Sequence, residues 1–176
     1  MKKTYNKTFL TLVLIIIAVV LDQVTKYLAV MHLKGKPAIP IISDVFELQY
    51  LENHGAAFGI MQNQQLFFLV TSVLISIVCI YVYFKLPMIK RYNLLRLCLI
   101  FIVSGAIGNM IDRIRFQYVI DFLYFKLIDF PIFNVADIYV TVSAIGLVLL
   151  ILFYYKDDEI NEIYSKIRLR KGKTNE

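Results

Sequence analysis

The stretch FLTLVLIIIAVVLDQVTKYLAV, residues 9–30, decides the fold. An α-helix rises 1.5 Å per residue, so a run of this length covers the roughly 30 Å of a bilayer's hydrocarbon layer. Its charged residues, Asp22 and Lys26, lie four apart with the acid first, the order that favours a helical pair. Three more apolar runs follow, at about residues 66–84, 94–112 and 133–155. None alternates as a barrel strand would, and in lipid only helices or closed barrels satisfy their backbone groups. The expectation is an all-α membrane protein with four transmembrane helices.

Composition agrees. The chain has 176 residues, 59% of them hydrophobic, and a mean hydropathy of +0.68, well above a soluble domain. The net charge of +6 does not point to nucleic acid, because of where it lies. Lys2, Lys3 and Lys7 precede the first span, and Lys85, Lys90, Arg91 and Arg96 sit between the second and third. Lys156, Lys166, Arg168, Arg170, Lys171 and Lys173 follow the fourth. Thirteen of the 19 basic residues thus fall on one side, which places both termini in the cytoplasm. The basic tail is a topology signal with weak contact to anionic membrane lipid. The N-terminus begins as a signal peptide does, but it lacks an A-x-A-like cleavage site and is long enough to span. It reads as a retained first helix. Cys79 and Cys98 fall inside spans as apolar fillers. No His-Cys metal spacing occurs, so neither a metal nor another cofactor is expected.

Two loops then face outward. In the first, GKPAIPII breaks the helix, VFELQYLE alternates as a strand does, and NHGAAFG forms a turn rich in small residues. The second contains YVIDFLYF, rich in β-formers. The two strand-like segments pair into a small extracytoplasmic β element. No internal repeat or low-complexity segment divides residues 1–176, read as a single domain whose charged tail, 156–176, extends helically and frays.

Acids inside or beside spans are costly and point to function. Asp22 and Lys26 lie in the outer half of the first span, either as a structural ion pair or closer to the chemistry. In SGAIGNMIDR, Gly105, Gly108, Asn109 and Asp112 share one helical face. The glycines let another helix approach, and Asn109, Asp112 and Arg113 read as a polar network beside a site, with Arg113 able to hold a carboxylate or reach a lipid headgroup. Asp129 precedes Phe130-Pro131 and reads as a surface turn residue. Asp121 is set in an apolar strand, and Asp137 falls three residues after Asn134, a plausible N-cap. The topology carries both acids to one membrane rim. Two carboxyls at close range share a proton: the anion draws a proton from water while the acid protonates the scissile carbonyl. The helix N-terminus favours the anion on Asp137 and leaves the proton on Asp121.

LDQVTK, NHGAAFG, GAIGNMIDR, VIDF and FNVAD together resemble, in order and spacing, the bacterial lipoprotein signal peptidases, the type II signal peptidases. The resemblance spans roughly residues 10–155. It implies an intramembrane aspartyl endopeptidase of the cytoplasmic membrane, with Asp121 and Asp137 catalytic at the extracytoplasmic face. It also implies that Asp22, Lys26, Asn53, Gly55, Gly108, Asn109, Asp112, Arg113, Asn134 and Ala136 bind substrate or support the site. The implied partner is a prolipoprotein carrying diacylglycerol on a cysteine, cut just before that cysteine by a monomeric enzyme. The glycine-rich face of span three and the NHGAAFG loop would leave room for a substrate backbone, and the first strand would steady it by edge pairing. Two other classes also want acids among helices. A transporter places them near the midplane rather than at a rim, and a membrane scaffold uses them only for packing.

Overall fold

The computed structural model describes residues 2–55 and 63–168, with residues 2–7 as backbone only. Four helices are long and apolar enough to cross a membrane: α1 (Lys2–Leu33), α2 (Gln65–Lys85), α3 (Asn93–Phe116) and α4 (Val135–Leu149), the last continued by a π-helical turn over Leu150–Tyr154. A fifth helix, α5 (Asp157–Ile167), lies on the end of the bundle away from the sheet. It starts in a capping box closed by the Glu159 side chain, and Ile160 and Ile163 pack against the core. The helical extension expected after the fourth span is therefore there. Ala56–Gly59 of the NHGAAFG block and Arg170, Lys171 and Lys173 of the tail lie outside the described residues, as do the side chains of Lys2, Lys3 and Lys7.

The bundle is built around α3, which packs against α1, α2 and α4. Over half of its apolar window is buried, against 11% for each of the other three. Small residues explain this. A Cβ on Gly105 would lie 2.5 Å from the Ala136 carbonyl oxygen, and one on Gly108 would lie 2.5 Å from Asp22 Oδ2. Such close approach is what small residues permit where lipid removes the hydrophobic drive between helices. The α2–α3 turn is pinned by buried Arg96, which donates to the carbonyls of Leu86, Pro87 and Ile89.

Three antiparallel strands crown the other end, in the order β1 (Ile39–Ile42), β2 (Phe46–Asn53), β3 (Val119–Tyr124). The β2–β3 pair matches the two strand-like segments read from the sequence. β1 does not, since IPII reads as a helix break. Its residues are all exposed and carry no alternation, so pairing with β2 alone orders them. β3 is buried on both faces. Ile120 and Phe122 pack against Ala29 and Leu33 of α1, while Val119 and Asp121 line a cavity, as the two-residue period of a strand requires. The fourth span begins two residues later than expected, because Phe133 bridges to Leu123 of β3 and Asn134 caps the helix. Asp129 sits as a turn residue in the left-handed region at φ 48°, its carboxylate accepting from the Tyr124 hydroxyl at 2.6 Å.

Candidate active site

Asp121 and Asp137 line one cavity of about 470 Å³ between the sheet and the helix ends, together with Asn53, Gly55, Asn109 and Arg113. Each acid arrives by a different device. Asp121 comes on β3, paired opposite Leu51 of β2. Asp137 comes as the third residue of α4 in the capping box that the sequence suggests. Asn134 Oδ1 accepts from the Asp137 backbone N–H at 3.1 Å, and Asp137 Oδ2 accepts from the Asn134 backbone N–H at 3.1 Å.

All four carboxyl oxygens of the two acids accept an amide hydrogen. Asn53 Nδ2 donates to Asp121 Oδ2 at 2.8 Å, and Asn134 Nδ2 to Asp121 Oδ1 at 2.6 Å. Asn109 Nδ2 donates to Asp137 Oδ1 at 2.7 Å. Asn134 thus touches both acids. Burial, reinforced by the Asp137 charge, pushes the Asp121 carboxyl up to about 7, although the amides of Asn53 and Asn134 pull the other way. Gly55 closes the loop beside them, its N–H donating to Asn53 Oδ1 at 3.0 Å.

Behind the acids lies a buried ion cluster. Lys26 pairs with Asp22 at 3.0 Å, as the sequence spacing suggests, and also with Asp112 at 2.9 Å, all three side chains being 1% exposed or less. Removing charges from water is costly, and only complete pairing and hydrogen bonding offset it. Here both acids find further work. Asp22 Oδ1 accepts from the Ala136 N–H at 2.9 Å, capping α4 from α1. Asp112 Oδ2 accepts from the Ile120 N–H at 3.2 Å, fastening α3 to the strand one residue before Asp121. The Asp22–Lys26 pair therefore reaches well beyond anchoring its own helix.

One expectation needs correction, that on the α3 glycines, and two are narrowed. Arg113 makes no ion pair with a carboxylate among the described residues, although its charge acts on Asp137, Asp121 and Asp112. Its guanidinium lies 4.8 Å from the Phe68 ring centroid and donates to the Asn109 carbonyl at 3.5 Å, on the cavity wall. The glycine-rich face of α3 leaves no space for a substrate backbone, because Ala136, Val140 and Asp22 fill it. β1 covers β2 only along Phe46–Leu48, so pairing with a peptide on that side is confined to the Gln49–Asn53 end. A crevice of about 220 Å³ between α2 and α4, floored by α3 and lined by Thr71, Ser72 and Thr141, leads to Asp137 and Arg113.

Gln23 is missing from the sequence reading. Its amide donates to Asp112 Oδ1 at 3.0 Å and to the Gly108 carbonyl at 3.2 Å, joining α1 to α3. The available signal is a polar residue with no ionic partner in an apolar span.

Comparison with known proteins bears on this arrangement. The family model for signal peptidase (SPase) II matches residues 14–153. A lipoprotein signal peptidase of Caldanaerobacter subterraneus subsp. tengcongensis is 48% identical over 145 residues, covering 82% of this chain and 97% of that one. One from Clostridium tetani is 42% identical over 162 residues, covering 88% and 99%. Two solved bacterial membrane enzymes share the fold. One, at 2.3 Å resolution, has a TM-score of 0.72 and 28% identity over 84% of this chain and 92% of its own. The other, at 1.9 Å, has a TM-score of 0.70 and 30% identity over 82% and 94%. The matched region contains every candidate residue named above and ends before α5.

Proposed function

The chain belongs to the signal peptidase II family, and from that premise we propose an aspartyl endopeptidase that cuts diacylglyceryl-modified prolipoproteins just before the lipidated cysteine. Membership makes it a multi-pass membrane protease that removes signal peptides from prolipoproteins. The finer reading rests on one observation: Asn134 hydrogen-bonds both Asp121 and, through its backbone and side chain, Asp137, at the wall of one cavity.

In this reading Asp137, held by the first turn of α4, is the anion that takes a proton from water. Asp121 carries the shared proton and gives it to the scissile carbonyl oxygen as the hydroxide adds to the carbon. Collapse of the tetrahedral diol returns a proton to the leaving amine. The pair ionises as a unit, so its charge state belongs to both residues. The substrate's signal helix reaches the acids from the bilayer along the α2–α4 crevice, and its acyl chains stay in lipid. The positive-inside pattern puts the cavity at the extracytoplasmic face of the bacterial cytoplasmic membrane and both termini inside. The working unit is one monomeric domain.

The test is cleavage of a purified diacylglyceryl-modified precursor by the purified protein. Asp121→Asn and Asp137→Asn variants should insert and fold yet release no signal peptide. Near-normal turnover by either one would end the proton-sharing mechanism.

A further inference from the structure

The hydrogen-bond chain behind the two acids starts at a cation that touches neither. The Lys26 ammonium has three hydrogens and no lone pair. All three hydrogens are used, on Asp22 Oδ2 at 3.0 Å, Asp112 Oδ2 at 2.9 Å and Asn109 Oδ1 at 2.9 Å. An asparagine amide can face either way round, and its network decides. An ammonium tolerates only the oxygen, so Asn109 must turn its nitrogen outward, where Asp137 Oδ1 receives it. The same oxygen of Asn109 accepts from Asn134 Nδ2 at 3.0 Å. The other hydrogen of that nitrogen goes to Asp121. Both amides thus present donors, never acceptors, to the two carboxyls.

We propose that Lys26 is a positioning residue of the catalytic pair: by fixing the orientation of Asn109 it holds Asp121 and Asp137 as a monoanion that shares one proton. The inference rests on the aspartyl reading and adds a residue that acts through another. The charged groups around the pair are Asp22 and Lys26 from α1, and Asp112 and Arg113 from α3. Asp121 comes from β3 and Asp137 from α4. Lys26 is walled off from the cavity, so its removal bears on the chemistry and not on substrate capture. Without it, the Asn109 oxygen keeps only the Asn134 Nδ2 donor, so the amide is less firmly fixed and can turn its oxygen toward Asp137, which disfavours the anion. Protonation of the pair then begins at higher pH, and the acidic limb of the rate profile moves upward.

The experiment is a double-mutant cycle on cleavage of the lipidated precursor, read as kcat, KM and pH profile. Lys26→Met should lower kcat about 10²-fold, the scale on which misplaced catalytic groups act. KM should stay within about twofold, the signature of a loss felt in the transition state rather than in binding. The acidic limb should move to higher pH. In an Asn109→Ala background the same change should cost less than about threefold, because coupled residues are not additive. Lys26→Met leaves two buried carboxylates facing each other. If it does not accumulate folded, the cycle is run with Lys26→Met/Asp112→Asn, which removes one charge of each sign, and the same outcomes apply. Additive losses, or an acidic limb that stays in place, would overturn the role of Lys26 while leaving the pair itself standing. Turnover by Asp137→Asn would instead remove the reading beneath it.

Discussion

Gly108→Ala tests the packing that builds the site. The added methyl would lie 2.5 Å from Asp22 Oδ2, 3.0 Å from Asp22 Cγ and 3.3 Å from Ala136 Cβ. Asp22 has no room to give way, being fully buried and bonded to Lys26, Gln23 and the Ala136 N–H. Overpacking of this kind costs about 1–3 kcal/mol. Breaking the charged cap on α4 costs a further ~1.5–3 kcal/mol. Replacing a helical glycine returns about 1 kcal/mol. The net is a destabilisation of a few kcal/mol, and it is focused on the first turn of α4 at Ala136, one residue before Asp137. The assay is thermal unfolding in bicelles alongside cleavage of a lipidated precursor. Both readouts should fall together. Gly105→Ala should be worse, because the atom 2.5 Å away is backbone. Gly146→Ala should be mild, as it meets only Cys98 Sγ at 3.2 Å. A Gly108→Ala protein that melts within about 0.5 kcal/mol of the parent, the range of an inert surface change, and cleaves at full rate would refute the reasoning.

Further outcomes follow from individual contacts. The Asp121 carboxyl is raised to about 7 by burial and by Asp137. An acid protonated when folded and ionised when unfolded lowers stability as pH climbs from its unfolded value near 4 to 7. Melting temperature should therefore fall across that window, and Asp121→Asn should flatten the slope. In the proposed mechanism cleavage needs the proton on Asp121, so kcat/KM should decline above about pH 7. Asn53 favours the anion by donating to Asp121, so Asn53→Ala should move that decline to higher pH, as a full pH–rate profile will show. Arg91 grips Glu159 of α5 through two hydrogen bonds at 2.8 and 3.0 Å, on the end of the bundle away from the cavity. Arg91→Ala should speed hydrogen exchange in α5 and leave precursor cleavage unchanged, measured by mass spectrometry and the same assay.

The sequence makes the helices legible because length and apolarity alone define a span. It makes the α4 cap legible because Asn134 and Asp137 have the spacing of a capping box. The i,i+4 pair of Asp22 and Lys26 is local and equally readable. What stays hidden is long-range. Nothing near Asp112 in sequence says that it meets Lys26 and the Ile120 N–H, and nothing in IPII says strand, because its partner lies in β2. The glycines of α3 are visible as small, but which neighbour fills the space they leave is decided by α4 and Asp22. Arg113 shows the same limit: its charge suggests a carboxylate, whereas the fold lays it over Phe68.

The donors that orient the two acids come from Asn53, Asn109 and Asn134, and the ion cluster behind them begins at Asp22. These positions are spread across most of the polypeptide. A ribosome-bound chain still missing its last transmembrane segment has Asp121 with Asn53 but without the helix that fixes Asn134, and it lacks Asp137 altogether. On the proposed mechanism such an intermediate has no hydrolytic power, so the fourth span must be in place before the protein can attack anything, including its own neighbours during insertion.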